Sequence, residues 1–241
     1  MSIKWSCASE SHTGVLRTVN EDSILVRTDI GMWAVADGMG GHAAGDLASS
    51  SITQALSEVR TSDCLNTLLD SVDDAVVEVN RSLRAHARLH HDGKTIGSTV
   101  VAFLTRGKVG VSIWAGDSRL YRLRKNKLEQ ITRDHNPIAD LLDEGLVTEH
   151  TAMNKETNII TRAVGGQESL VLDVAVFDVE PEDTFLLCSD GLYREIGFDE
   201  IAEMMASDNL HGCSQHMLRV CLERGARDNV SLILSRASEI H

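Results

Sequence analysis

Two long segments with helical periodicity interrupt a chain that is otherwise made of short apolar runs. Between about 41 and 91, apolar residues recur at the i, i+3, i+4 spacing of an amphipathic helix, first along 44–59 and again along 65–83. Two shorter segments near the end of the chain, 201–205 and 214–224, also fit helices. We therefore predict two long structural helices in the first half of the chain and two shorter ones in the second.

The remaining apolar runs are short, as is typical of strands that are covered on at least one face. Several are joined by turns too short for a helical crossover, as at 105–108, so antiparallel pairing is favoured. This pattern predicts an α+β fold, and because neither a linker nor a repeat marks a boundary, we expect one domain over 1–241. The predicted strands cover 24–26, 32–36, 99–104, 109–115, 120–123, 171–176, 184–188 and 230–234.

The segment 144–166 has no clear period and is rich in Thr, Asn, Glu and Gly. A stretch of about 20 residues without periodicity is unusual inside a compact domain unless the segment has a use. We interpret this segment as a lid or flap. A simple surface excursion is the alternative interpretation.

Composition and charge exclude several classes of protein. The chain carries a formal net charge of −13, which disfavours non-specific binding to nucleic acid because that binding requires clustered Lys and Arg. No apolar run approaches the length of a membrane span, and the first residues lack the apolar stretch of a signal peptide. We therefore expect a cytoplasmic protein with no membrane partner. The 5 cysteines are scattered without a C-x-x-C pair, which argues against disulfides and a zinc site.

Acidic residues recur at the ends of the predicted strands. Asp37, Asp117 and Asp190 each follow an apolar run, and Asp228 stands just before one, so antiparallel pairing places all four at one edge. Carboxylates that gather in one cleft repel one another, and divalent cations neutralise them efficiently. Because the candidate ligands are hard oxygens, including the carbonyl of Gly38, the pattern favours magnesium or manganese. A simple turn is the alternative for each Asp-Gly taken singly.

A second constellation lies in the loop that leads into the first predicted strand. Arg17 offers a planar fork of donors that suits phosphate oxygens. Glu21 and Asp22 follow within a few residues and are candidates to hold water molecules bound to a metal ion. A solvated charged turn is the alternative interpretation of this segment.

Taken together, the motifs resemble those of the bacterial type 2C (PPM family) metal-dependent serine/threonine protein phosphatases. The resemblance covers nearly the whole chain, and its motifs occur in the order and spacing of that family. A single Asp-Gly-Met-Gly-Gly is only suggestive, whereas eight blocks in order identify the chain as similar to these enzymes. The blocks lie at 17–22, 37–42, 97–99, 116–119, 134–135, 161–165, 189–192 and 228–229.

The resemblance implies a four-layer sandwich of two antiparallel β-sheets flanked by α-helices, with a binuclear Mg/Mn centre in a cleft at one edge. It implies that Asp37 bridges two cations and that Gly38 contributes its carbonyl to one of them. By the same resemblance, Asp190 and Asp228 ligate the other cation. Asp117 matches a residue that holds a third, weaker cation in bacterial members.

The resemblance also assigns the residues around the reacting phosphate. It implies that Glu21 and Asp22 hold metal-bound water and that Arg17 binds the phosphate. Animal-type members often carry His, as the proposed general acid, directly after the Asp-Gly of the metal motif, but Met39 stands there in this chain. His42 is the nearby candidate for the proton donor, with a capping or polar surface role as the alternative.

The implied activity is hydrolysis of phosphoserine and phosphothreonine in proteins by a metal-activated water, without a phosphoenzyme. The implied partners are phosphorylated proteins and, by analogy, the pathway of a bacterial Ser/Thr kinase that the enzyme opposes. We expect a monomer with no nucleic-acid partner. The alternatives are a catalytically silent relative that binds phosphoproteins and a metal-dependent hydrolase of small phosphoesters.

Overall fold

The computed structural model describes residues 3–40, 44–91, 94–143 and 159–239 of the chain. Its strands are β1 (Ile3–His12), β2 (Asp22–Arg27), β3 (Met32–Met39), β4 (Gly97–Ser98), β5 (Val100–Arg106), β6 (Val109–Ala115), β7 (Arg119–Arg124), β8 (Lys127–Gln130), β9 (Asp173–Asp178), β10 (Thr184–Cys188) and β11 (Val230–Glu239). Its helices are α1 (Gly45–Ser57), α2 (Leu65–His90), α3 (Pro137–Asp143), α4 (Asp190–Tyr193), α5 (Phe198–Met205) and α6 (Leu210–Glu223).

The strands form two sheets in which every pair of neighbours is antiparallel. One sheet has the order β1-β11-β10-β7-β8, and the other has the order β2-β3-β5-β6-β9, with the two-residue β4 paired to β3. Short connections join β5 to β6 and β7 to β8, so the prediction of antiparallel pairing is confirmed.

Strand β3 shows why the layers stack as they do, because both of its faces are buried. Met32 and Ala34 belong to the apolar core that the second sheet forms with α1 and α2. Trp33 points to the other side, where it stacks on Phe103 with ring centroids 5.4 Å apart. This inner core also includes Phe185 of the first sheet and so lies between the two sheets.

The outer face of the first sheet is covered by α5 and α6. Met217 and Cys221 on α6 are fully buried against Leu232 and Leu234 of β11. Burying a Met or Leu side chain stabilises the fold by roughly 1.5–3 kcal/mol. The layers of the fold therefore follow the order helix, sheet, sheet, helix. The prediction of a four-layer α+β sandwich is confirmed.

The predicted elements and the observed ones differ in places. Strands β6 and β10 have the predicted bounds, whereas β9 lies at Asp173–Asp178 rather than 171–176. The sequence argument did not include β1 or β8 and also missed α3 and α4. Each helix in the described part of the chain is too short or too polar to span a bilayer.

Candidate metal and phosphate site

The predicted acidic residues come together at one end of the two sheets. Asp22 opens β2 and lies opposite Asp37 on β3. Asp190 follows β10, which pairs antiparallel with β11, and Asp228 lies just before β11. The Ser189 hydroxyl connects the two sheets by donating a hydrogen bond to Asp22 Oδ2 at 2.8 Å. The antiparallel argument thus placed these residues at the correct edge, although Asp37 lies within β3 and Asp190 begins a helix.

Burial and mutual repulsion disfavour the ionised forms of these carboxyl groups. Burial raises the pKa of Asp37 well above its ordinary value, and the charges of Asp22, Asp190, Asp117 and Asp228 raise it further. Burial also raises the pKa of Asp22 to about 7 and that of Asp117 to about 6. The charges of these carboxyl groups therefore affect one another, and protons or cations are needed to neutralise their negative charge.

Three carboxylate oxygens of this cluster indicate whether divalent cations fit the site. Within the described ranges, Asp22 Oδ1, Asp117 Oδ1 and Asp190 Oδ1 are buried and have no hydrogen-bond partner. Leaving such a group unpaired is costly. Carboxylate oxygens are the ligands that magnesium and manganese prefer, so the donor set fits the predicted ions.

Two arginines already neutralise part of the cluster. Arg17 Nη2 donates to Asp228 Oδ2 at 2.8 Å, and Arg194 Nη2 lies 2.7 Å from Asp190 Oδ2. No three His, Cys, Asp or Glu side chains in the described part of the chain are arranged to hold a metal ion. A bound cation would compete with these arginines for Asp190 and Asp228.

Gly38 and Gly45 pack against each other so closely that neither has room for a side chain. A Cβ added to Gly38 would lie 2.0 Å from the carbonyl oxygen of Gly45. A Cβ added to Gly45 would lie 2.3 Å from Glu21 Oε1. The Gly38 N–H also donates to the Glu21 carbonyl at 3.0 Å. The two glycines thus allow the Glu21 carboxylate and the Gly38 backbone to approach each other beside Asp37.

Asn229 fixes the loop that carries Arg17, a role that sequence reasoning did not assign. Its Oδ1 accepts a hydrogen bond from Glu21 N at 2.8 Å, and its Nδ2 donates to the carbonyls of Thr13 at 2.8 Å and Val19 at 3.0 Å. Asn229 is buried, so these bonds are shielded from water. The sequence offered one signal for Asn229, which is that it directly follows the motif residue Asp228. Its hydrogen-bond partners could not be predicted because they lie far away in the sequence.

Arg119 and Asp134, which belong to two further motifs, support the backbone beside Asp117. Arg119 Nε and Nη2 donate to the two carboxylate oxygens of Asp134 at 2.9 and 2.7 Å. The Arg119 guanidinium carbon lies 3.5 Å from the centroid of the Tyr193 ring. The Tyr193 hydroxyl in turn donates to the carbonyl of Asp117 at 3.0 Å. This chain of contacts fixes the backbone that carries Asp117.

Two predicted features fall outside the described residues, namely His42 and most of the flap at 144–166, of which 159–166 is described. At the end of that segment, Val164 exchanges backbone hydrogen bonds with Ser98, each 2.9 Å long. The Ser98 hydroxyl donates to the Asp37 carbonyl at 2.9 Å. The end of the predicted flap is therefore tied to the strand that carries Asp37.

Comparisons with known proteins agree with this geometry. The sequence profile of the family described as Protein phosphatase 2C matches residues 12–234. The serine/threonine protein phosphatase PstP of Mycobacterium tuberculosis is 32% identical over 229 residues, which are 95% of this chain and 44% of that protein. The chain therefore spans less than half the length of this relative.

Solved structures extend the similarity to three dimensions. PppA, described as a key regulatory component of T6SS in Pseudomonas aeruginosa, is 39% identical, with a TM-score of 0.89 over 97% of each chain. The catalytic domain of PstP in complex with 2 manganese ions is 30% identical. Its TM-score is 0.88, over 99% of this chain and 100% of that one. The described fold is thus shared nearly end to end.

Proposed function

This chain belongs to the protein phosphatase 2C family, and we propose that it hydrolyses phosphoserine and phosphothreonine in proteins at a centre of two divalent cations. The observation that carries the proposal is the buried cluster of carboxyl groups, three of whose oxygens have no partner among the described residues. The match to PstP supports the same activity, although this chain covers 44% of that protein.

The ligands of the two cations come from four positions in the cluster. Asp37, the Gly38 carbonyl, Asp190 and Asp228 would hold two Mn²⁺ or Mg²⁺ ions, with Asp37 shared between them. When bound, the ions supply a water molecule activated for attack on phosphorus. The PstP catalytic domain in complex with 2 manganese ions supports a centre of two cations.

Three further acidic residues complete the proposed cation site. Glu21 and Asp22 orient water at the centre, and the hydrogen bond from Ser189 to Asp22 keeps that carboxylate in place. Asp117 takes part in a third, weaker cation site. Its buried Oδ1, which has no hydrogen-bond partner among the described residues, supports this role.

Arg17 binds the phosphoryl group of the substrate. Its side chain is 49% exposed, so one face of the guanidinium remains open to a ligand while Nη2 pairs with Asp228. Its planar fork stabilises negative charge on the phosphoryl oxygens as the ester bond breaks. His42 donates a proton to the leaving serine or threonine oxygen.

The surroundings of Arg17 favour a protein substrate over a small phosphoester. Val15, Leu16 and Val19 in the same loop are exposed to 56%, 69% and 44%. Exposed apolar side chains beside a phosphate-binding group are suited to contact a peptide that flanks the phosphate. A small phosphoester would make no use of them.

The wider setting of the enzyme is also part of the proposal. We infer that the chain forms one catalytic domain, acts as a monomer in the cytoplasm and opposes a bacterial Ser/Thr kinase. The description of PppA as a regulatory component of T6SS supports a regulatory role. A catalytically silent role in binding phosphoproteins is disfavoured because every predicted cation ligand is present in the sequence.

Release of phosphate from a phosphothreonine peptide tests the proposed function. We expect turnover in the presence of Mn²⁺ and a loss of about 100-fold or more when EDTA removes the ions. Activity that survives both EDTA and the substitution Asp37→Asn would contradict the mechanism. Hydrolysis of p-nitrophenyl phosphate without any hydrolysis of phosphopeptides would favour the small-phosphoester alternative.

The substitution Arg17→Ala tests the phosphate-binding role. We expect KM for the phosphopeptide and the inhibition constant of free phosphate each to rise by about tenfold or more, because charge-assisted hydrogen bonds to the phosphate are lost. The assay is a steady-state titration at saturating Mn²⁺, so that the freed Asp228 does not change cation occupancy. Arg81→Ala, which removes an exposed arginine paired with Glu78 on α2, is the matched control. Unchanged constants for Arg17→Ala would exclude this role.

A further inference from the structure

Arg194 faces two of the buried carboxylates, although it lies outside the motifs that the sequence analysis identified. Its Nη2 lies 2.7 Å from Asp190 Oδ2 and 4.0 Å from Asp117 Oδ2. The side chains of Asp190 and Asp117 are 12% and 6% exposed, whereas that of Arg194 is 32% exposed. A single guanidinium therefore lies between a pair of buried carboxylates and the solvent.

The backbone holds Arg194 in this position. Arg194 N donates to the Asp190 carbonyl at 3.0 Å, at the end of α4. The i, i+4 spacing places the Arg194 side chain on the same face as Asp190. The adjacent Tyr193 donates its hydroxyl to the Asp117 carbonyl at 3.0 Å. One turn of chain thus both fixes the backbone of Asp117 and supplies the positive charge that faces its carboxylate.

One guanidinium only partly compensates the two carboxylates. In the described part of the chain, Oδ1 of Asp117 and Oδ1 of Asp190 remain buried without a partner. These oxygens are hard donors for a divalent ion. An ion that binds them meets a like charge at Arg194 and competes with it for Asp190. The two carboxylates thus attract a further cation, whereas Arg194 weakens the binding of that cation.

We propose that Arg194 is the resident counter-ion of Asp117 and Asp190 and that it sets the low affinity of the third cation site. The inference rests on the proposed function, because it concerns the same cluster of cation ligands. It assigns to one side chain the weak binding that the proposed function gives to the third cation. Removal of the guanidinium charge then strengthens the third site.

Counting bound Mn²⁺ by the EPR signal of the free ion tests this inference without reference to catalysis. We expect Arg194→Gln to tighten a third site by about tenfold or more relative to the unsubstituted protein, because a like charge is removed. Adding Asp117→Asn to that variant should abolish the gain. Arg194→Lys keeps the charge and should leave the third site weak. Arg81→Gln, which removes an exposed arginine on α2, should change nothing.

Thermal unfolding provides a second readout for the same variants. In EDTA, Arg194→Gln should melt below the unsubstituted protein because two buried carboxylates lose their counter-ion. Added Mn²⁺ should restore more of its stability than it adds to the unsubstituted protein. If Arg194→Gln binds Mn²⁺ with the same number and affinity of sites as the unsubstituted protein, the inference is wrong while the two-cation proposal stands. If the unsubstituted protein binds no Mn²⁺ at all, both proposals fail.

Discussion

Asp37→Asn should lower phosphate release from a phosphothreonine peptide by about 1000-fold or more at any practical Mn²⁺ concentration. Asp37 lies opposite Asp22 in the strand register, and the charges of Asp190, Asp117 and Asp228 also act on its carboxyl group. It is thus central to the cluster, and the neutral amide of Asn cannot replace a charged ligand shared by two ions. The measurement is steady-state turnover combined with a Mn²⁺ titration. Turnover within tenfold of the unsubstituted protein would contradict the assignment.

The same substitution should stabilise the metal-free protein. Burial and the neighbouring charges raise the pKa of Asp37, so its protonated form is favoured in the folded state. The contribution of such a group is fully present below its unfolded pKa of 3.8 and is lost as pH rises through the folded value. In EDTA, Asp37→Asn should therefore melt roughly 3 °C or more above the unsubstituted protein, with a difference that grows as pH rises.

A matched control separates this effect from a general loss of negative charge. Asp70→Asn removes an exposed carboxylate on α2 and should change neither turnover nor the metal-free melting temperature by much. A metal-free Asp37→Asn protein that melts below the unsubstituted one at pH 8 would show that repulsion in the cluster does not destabilise the fold.

Local patterns in the sequence were sufficient to predict an α+β fold with antiparallel pairing, whereas the four layers were implied by the family resemblance. The apolar run within β3 is continuous because both faces of the strand are covered. Helices cover one face, and the first sheet covers the opposite face. Strand β1 has no such run: its sequence is mostly polar, and it forms by pairing with β11 over 10 positions. A strand stabilised by a partner at the opposite end of the chain leaves little periodicity to detect.

The same distinction separates the parts of the site that were predicted from those that were not. Acids at strand ends were predictable because antiparallel neighbours place their ends at a shared edge. The pair between Arg17 and Asp228 joins residues 211 positions apart, and the bonds of Asn229 cover similar separations. Spacing along the chain carries no information about such contacts. The contact of Arg194 with Asp117 depends on side-chain direction, which only the folded structure specifies.

Gly38→Ala should destabilise the protein by about 3 kcal/mol or more, which corresponds to a melting temperature lower by roughly 10 °C. The new Cβ would lie 2.0 Å from the Gly45 carbonyl oxygen and 2.7 Å from that of Glu21, so two backbone segments must move apart. Backbone atoms cannot swing away as a flexible side chain does. The start of α1 or the loop that carries Glu21 therefore has to shift.

This shift is expected to weaken cation binding as well, because Gly38 adjoins Asp37 and supplies a proposed carbonyl ligand. We expect Gly38→Ala to raise the Mn²⁺ concentration needed for half-maximal activity by about tenfold or more. Gly197→Ala is the matched control, since the nearest atom to its added Cβ is Glu200 Oε2 at 3.9 Å and its φ of −70° suits alanine. If Gly38→Ala has the same melting temperature as the control and the same Mn²⁺ dependence as the unsubstituted protein, the close contact between Gly38 and Gly45 does not determine the geometry of the site.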